Sequence, residues 1–286
     1  MINLEDISPV WYAPRVTEGE NAMIERRLAG GCVLARIMGT GPRIWLFHSL
    51  LADAGSCMPL ARQLEERHEV VVPDLPGFGG SEAAGPDLAA IADRMAEAVR
   101  EFGAPAAALL GNGYGSFIAL TVALRHPDLL ERLVLVGTGA AFSEPGRAAF
   151  RGMAERARSG GGLELLAETA MRRLFSPEFQ DTQPQLTAER RSRFLATDPQ
   201  VFTAACDALA SLDLRADVPN LTLPVLILVG AKDEATPPPM ARELAGLLPN
   251  ARLRELPGLA HVPQLQDPST CAAAVIDFLG GREERK

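Results

Sequence analysis

Apolar runs of strand length that alternate with helical patterns predict an α/β protein: a mostly parallel eight-stranded sheet with helices on both faces. Two further observations shape that expectation. At Leu109-Leu110-Gly111-Asn112-Gly113-Tyr114-Gly115-Ser116 an apolar run passes through closely spaced glycines straight into a helical pattern. Between about Ala140 and Pro219 the alternation stops, and helical spacing rich in Arg and Glu continues with no convincing strand. The expected organisation is a core of residues 1–139 and 220–286 carrying a helical lid of residues 140–219, over the strand ends where such sheets place their ligands.

Taken in order, the strand patterns are Met23 to Leu28, Cys32 to Ile37, Ile44 to Phe47, Glu69 to Pro73, Ala106 to Leu110, Arg132 to Val136, Val225 to Val229 and Leu253 to Leu256. The first two, joined through Gly30 and Gly31, predict an antiparallel hairpin at one edge. The clearest helical patterns are Leu88 to Phe102, Tyr114 to Arg125, Met240 to Leu248 and Thr270 to Leu279. Inside the insertion, Gly160-Gly161-Gly162 predicts a break between two helices.

A chain of 286 residues suffices for one large core with an insertion. Its formal charge of −8 disfavours nucleic acid and anionic membranes, which are bound through clustered Lys and Arg. The expected partner is a small molecule, with no nucleic acid and no membrane, and the oligomeric state is left open. Met1 to Glu20 carries Glu5, Asp6, Glu18 and Glu20 without an apolar stretch, which argues against a signal peptide and for a cytoplasmic location. Phe102 to Leu124 is uncharged and long enough to span a bilayer, but Gly111, Asn112, Gly113 and Gly115 break it; a buried strand feeding a buried helix explains the same residues. Cys32, Cys57, Cys206 and Cys271 lack C-x-x-C spacing and suggest reduced core cysteines. His48, His68, His126 and His261 form no H-x-x-x-H pair. No metal and no other cofactor is expected.

The chemistry-bearing segments fall in a recognisable order. They are His48-Ser49-Leu50-Leu51 after one strand, Pro73-Asp74-Leu75-Pro76-Gly77-Phe78-Gly79-Gly80-Ser81 after the next, and the glycine-flanked turn at Gly113; Gly230-Ala231-Lys232-Asp233 with Thr236-Pro237-Pro238 and then Ala260-His261 follow. Together they resemble the α/β-hydrolase fold family across most of the chain. Ala196-Thr197-Asp198-Pro199, Ala204-Ala205-Cys206, Leu212-Asp213-Leu214-Arg215 and His48-Ser49-Leu50 are similar to the 3-oxoadipate enol-lactone hydrolase branch. The resemblance implies that Asp233 orients His261 and that the turn at 113 is the G-x-S-x-G nucleophile elbow. It also implies an oxyanion hole made by the backbone N–H groups of Leu50 and Tyr114, with His48, Ser49 and Asn112 against the substrate. Taken singly, an aspartate after a strand is a turn former and a lone histidine a polar surface residue; their joint placement in the family's chain order favours a catalytic pair.

Gly113 stands where that family carries its serine, and a glycine has no side chain with which to attack. Loss of a triad serine costs roughly a million-fold in turnover, leaving about 10³ to 10⁴ over water. Acyl-enzyme catalysis at residue 113 is therefore excluded. Ser116 lies nearly one helical turn on and should point elsewhere, and Ser49 is a substitute hydroxyl only through its place beside the oxyanion loop. Gly111-x-Gly113 fails as a dinucleotide fingerprint, because Ser116 replaces the third small residue and no acidic residue follows at the required distance. Two departures from the family are smaller: Gln266 stands where many relatives have glutamate, weakening support for the His261 loop, and Ser49 replaces a glycine.

The expected function is a hydrolase-like small-molecule enzyme without a covalent acyl-enzyme. In it His261, held by Asp233, is general base toward water or an acidic substrate proton. Hydrolysis of an activated ester or enol-lactone leads, with lyase and proton-transfer isomerase steps open to the same base. A non-catalytic binding protein and a serine hydrolase whose nucleophile has been replaced carry the same letter at 113.

Overall fold

The computed structural model describes residues 23–85 and 87–281. Met1 to Glu20, read above as no signal peptide, lies outside the described residues. The strands in chain order are β1 (Ile24–Leu28), β2 (Val33–Met38), β3 (Arg43–Phe47), β4 (Glu69–Pro73), β5 (Ala108–Asn112), β6 (Leu133–Val136), β7 (Val225–Gly230) and β8 (Ala251–Leu256). Among the described residues they form one eight-stranded sheet in the order β1-β2-β4-β3-β5-β6-β7-β8. The β1/β2 and β2/β4 pairs are antiparallel and all the others parallel. The expected edge hairpin is present, turning through Gly30 and Gly31 at positive φ. The fifth strand is displaced from its expected range: Ala106 makes only an isolated bridge to Leu130, while pairing of Gly111 with Leu135 and Asn112 with Val136 carries the ladder to the elbow.

The helices are α1 (Met58–Leu64), α2 (Leu88–Phe102), α3 (Tyr114–Arg125), α4 (Glu144–Arg158), α5 (Ala167–Leu174), α6 (Pro177–Thr182), α7 (Pro184–Leu195), α8 (Pro199–Ser211), α9 (Pro238–Leu247), α10 (Pro263–Gln266) and α11 (Pro268–Leu279). Strand residues alternate between two cores. Trp45 and Phe47 of β3 pack toward α2 and α3, Ile44 and Leu46 toward α1 and α11. Helix α2 begins at Asp87, whose carboxylate accepts from the Ala90 N–H at 2.8 Å, and stops at Gly103 at φ +108°. Helix α3 is buried from Tyr114 to Ala123, which explains its apolar residues on every side. The uncharged stretch from Phe102 is thus divided between β5 and α3, and no helix of the described residues is long and apolar enough to cross a membrane.

From β3 the chain passes to β4 on one side and returns to the other side as β5. The loops after β3 and β5 therefore meet at a switch point at the carboxyl end of the sheet, where open α/β sheets bind ligands. The Gly115 N–H donates to the His48 carbonyl across it at 3.0 Å.

Between β6 and β7 the chain leaves the sheet for α4 to α8. Ser143, Ser176 and Asp198 each accept a backbone N–H at a helix start, and Pro177 and Pro199 open their helices with the φ a first turn requires. The neck of the insertion is closed by a bridge between Ala141 and Asp213 and by Arg147, whose guanidinium donates to the carbonyls of Phe142, Ala210 and Leu212. Gly160 to Gly162 follow α4 and lead through a short 3-10 turn into α5. Cys57, Cys206 and Cys271 are buried free thiols, whereas Cys32 in the edge hairpin is only half-buried and so departs from the expected core position.

Candidate active site

Gly113 caps α3 directly after β5, with φ +52° and ψ −117°. The turn is tight because its neighbours lack side chains. A Cβ at Gly115 would stand 2.5 Å from the Phe47 carbonyl oxygen and 2.6 Å from that of His48, and one at Gly111 would run into the Gly115 carbonyl. The Gly113 carbonyl accepts from the Ser116 N–H at 2.9 Å and the Ser116 hydroxyl at 2.6 Å, so the hydroxyl of Ser116 is bound to the backbone.

Asp233 follows β7 and His261 follows β8, and both are buried. His261 Nδ1 lies 2.9 Å from Asp233 Oδ2. The carboxylate also accepts from the Thr236 hydroxyl at 2.9 Å and from the N–H groups of Ala235 and Thr236 at 2.8 and 2.9 Å. With Asp233 Oδ2 as the acceptor facing it, Nδ1 is the ring nitrogen that donates, which leaves Nε2 as the acceptor. The sequence motif contained Thr236 without revealing its role. Its signal is local: three residues after an aspartate, a threonine places its N–H and hydroxyl against the carboxylate. Gly137 carries no such signal, yet a Cβ there would sit 3.0 Å from both Asp233 Oδ2 and His261 Nδ1.

Asn112 and His48 are expected against the substrate; both are fully buried, and neither is among the residues that line the cavity beside His261. The Asn112 amide donates to the His261 carbonyl at 2.8 Å and accepts from Gln264 Nε2 at 3.0 Å. Gln266 accepts from the Ala260 N–H at 2.8 Å, so a neutral amide does support the His261 loop. His48 is fully buried, with Nδ1 3.0 Å from the Ser49 carbonyl, Nε2 accepting from the Leu75 N–H at 3.1 Å, and its ring edge-on to Phe78. Burial pushes its pKa below the usual histidine value, against the opposing pull of the Ser49 carbonyl.

Ser49, Leu50, Gly113, Tyr114 and His261 line one side of a cavity. The insertion lines the other with Phe142, Phe150, Met153, Leu209 and Arg173. Leu50 and Tyr114 thus meet at the cavity, and Tyr114, as the first residue of α3, has its N–H outside the bonding pattern of the helix. The Ser49 hydroxyl is 3.3 Å from His261 Nε2. A Cβ on residue 113 would be 2.5 Å from that hydroxyl and 2.6 Å from Nε2, so the expected free space over the glycine is largely taken by these two groups.

Of the insertion arginines, Arg147 is spent on carbonyls, Arg151 on Glu144 and Arg215 on Asp213, while Arg172 is exposed. Arg173 lines the cavity. Among the described residues its guanidinium has no hydrogen-bond or ion-pair partner and only the Phe150 ring at 5.9 Å. Burial lowers its pKa, with Asp233 among the groups acting in the opposite sense. A larger cavity lies between the insertion and α1 and α10, but it contains none of the expected site residues, and Arg190 in its wall is paired with Asp53 and Glu189.

The model of the alpha/beta hydrolase fold family matches residues 42–268. A pimeloyl-acyl-carrier-protein methyl ester esterase of Aromatoleum aromaticum is 30% identical over 260 residues, covering 87% of this chain and 98% of that protein. The polyketide synthase ThaQ of Burkholderia thailandensis is 32% identical over 246 residues, covering 84% of this chain but only 12% of the synthase. Among solved structures, an enol-lactonase from Burkholderia xenovorans superposes with a TM-score of 0.82 at 28% identity, covering 90% of this chain and 100% of that one.

Proposed function

The chain belongs to the alpha/beta hydrolase fold family, and on that premise we propose a small-molecule hydrolase of activated esters or lactones whose elbow carries no serine and whose working base is His261. Gly113 takes the apex that the nucleophilic serine holds in this fold. Asp233 keeps Nδ1 protonated, so that Nε2 accepts the proton of the attacking oxygen; water reaching Nε2 is the simplest such oxygen. Charge developing on the substrate carbonyl is received by the N–H groups of Leu50 and Tyr114. The observation that carries the reading is the buried 2.9 Å contact of His261 Nδ1 with Asp233 Oδ2 beside the cavity. Relatives named for methyl ester and enol-lactone hydrolysis support the same substrate chemistry.

Residues 140–219 act as the lid, with Phe142, Phe150, Met153 and Leu209 receiving the apolar part of the substrate. Arg173 meets an anionic group on it, since a half-buried guanidinium without an ion-pair partner gains from a carboxylate. A receptor without turnover is the second reading. It is favoured by Gly113 itself, because a glycine holds φ +52° without the strain a serine carries there. A pH-rate profile on activated esters and enol-lactones, run with His261→Ala, decides between them. The enzyme loses turnover with His261, whose Nε2 takes the proton. Binding without turnover in both proteins establishes the receptor.

A further inference from the structure

We infer that the first oxygen to attack is the hydroxyl of Ser49, a nucleophile carried on the loop after β3 and standing beside the imidazole where an elbow side chain would otherwise stand. The inference rests on the reading of His261 as general base and adds the identity of the group that base activates. Three hydroxyls line the cavity: Ser49, Tyr114 and Thr236. Thr236 is committed to Asp233 Oδ2 at 2.9 Å, and burial pushes the Tyr114 phenol further from ionisation. Ser49 alone reaches Nε2, at 3.3 Å, and among the described residues its hydroxyl has no other hydrogen-bond partner. With Nδ1 protonated toward Asp233, the hydroxyl is the donor in that contact, which is the geometry of a nucleophile poised to lose its proton. A distance at the long end of the range is common before substrate binds.

The loop fixes this hydroxyl from behind. The Ser49 carbonyl accepts from the Ala52 N–H at 3.2 Å and from His48 Nδ1 at 3.0 Å, while His48 Nε2 holds the Leu75 N–H at 3.1 Å. The position also matches the missing one: the site of a Cβ on residue 113 is 2.5 Å from Ser49 Oγ and 2.6 Å from His261 Nε2. Ser49 and Gly113 are thus compatible neighbours, because a serine at 113 would displace this hydroxyl. Leu50 and Tyr114, whose N–H groups would receive the developing charge, line the same cavity.

The reaction balances as an ordinary two-step hydrolysis. Ser49 Oγ bonds to the acyl carbon as its proton passes to His261 Nε2. The tetrahedral intermediate collapses, the alkoxide or enolate leaves with that proton, and the acyl group stays on Ser49. Water then attacks, gives a proton to Nε2, and the same proton returns to Ser49 Oγ as the acid departs.

The test labels the whole chain with diisopropyl fluorophosphate and locates the adduct by mass spectrometry, alongside burst kinetics on p-nitrophenyl acetate. One adduct per chain is expected, on Ser49 and not on nearby Ser56. Ser49→Ala should abolish it, remove the burst and lower kcat/KM by a factor on the order of 10² or more. Ser49→Cys, which keeps a nucleophile, should retain an acyl burst, and His261→Ala should slow labelling of the native serine. An adduct on another residue, or no adduct, overturns the inference. Turnover that survives in Ser49→Ala but not in His261→Ala also overturns it, leaving His261 acting on water. Labelling of Ser49 with no turnover of any ester or lactone upholds the inference and removes the hydrolase reading.

Discussion

The side-chain amide of Asn112 donates to the main-chain carbonyl of His261 at 2.8 Å, joining the last residue of β5 to a loop 149 residues later in the sequence. The bond couples the turn at Gly113 to the His261 loop. Asn112→Ala leaves the buried His261 carbonyl without this donor, a cost of about 1–3 kcal/mol. The expected result is a lower midpoint in urea and a fall in kcat with little change in KM, since the amide holds the loop and does not touch the cavity. An unchanged kcat in a destabilised variant would separate the bond from catalysis.

Gly113→Ser should create an elbow nucleophile at a cost in stability. Its φ of +52° is strained for any residue with a Cβ, by about 1–3 kcal/mol. Its Cβ would also stand 2.5 Å from Ser49 Oγ and 2.6 Å from His261 Nε2, both ends of movable side chains. The double variant Gly113→Ser with Ser49→Gly, which clears that hydroxyl, should show a larger acyl burst with p-nitrophenyl acetate than Gly113→Ser alone. Equal bursts would mean that Ser49 moves aside without resistance.

Neutralising Arg173 should weaken substrates that carry a carboxylate. For Arg173→Gln the KM of such an ester is expected to rise roughly 10-fold or more, and that of its methyl ester to stay within a factor of about two. The same substitution at Arg147, Arg151, Arg172 or Arg215 should leave that ratio unchanged, because those side chains are bonded elsewhere or exposed. A common effect on acid and ester alike would assign Arg173 to packing against Phe150.

Stability should fall on mild acidification. Burial holds the pKa of His48 below its usual 6.5, while Asp53 and Asp74 pull the other way and Arg36 adds to the lowering. Below about pH 6.5 the unfolded chain therefore binds more protons at this position than the folded one. The contribution of neutral His48 is complete above that pH and is lost progressively below it. Melting temperatures measured from pH 7.5 down to about 5.5 should drop more steeply for the native chain than for His48→Asn. His68, which burial also lowers, keeps a residual slope in the variant. Parallel slopes would show that His48 does not govern the acid limb.

Two glycines on helices should respond in opposite ways to alanine. Gly115→Ala drives a Cβ against the carbonyl oxygens of Phe47 and His48 at 2.5 and 2.6 Å, backbone atoms that cannot swing away, at a cost of about 3 kcal/mol or more. Gly152 within α4 has nothing within 4 Å of its Cβ position, and Gly152→Ala should stabilise by about 0.5–1 kcal/mol. Thermal melts of both variants check the contrast.

Much of the fold was legible because its causes are local. Leu88 to Phe102 shows its buried stripe at helical spacing beside a capping Asp87, and Val225 to Val229 reads as a strand because both its faces are covered. The short α1, seven residues directly after a 3-10 turn, left too little periodicity to read. Of the site, the residue types and their chain order were legible: a glycine at the elbow, an aspartate after β7, a histidine after β8.

Only the tertiary structure decided which of these groups touch. It brought Ser49 to His261 across 212 residues of sequence, turned Ser116 onto the backbone, moved His48 and Asn112 from the cavity into its frame, and left Arg173 alone among the insertion arginines at the cavity wall without a counter-ion. Periodicity along a chain records which side of each element is apolar. Hydrogen bonding and ionisation depend instead on atoms within a few ångströms, and here those atoms come from strands that meet only when the sheet order β4-β3-β5 folds the loops after β3 and β5 together.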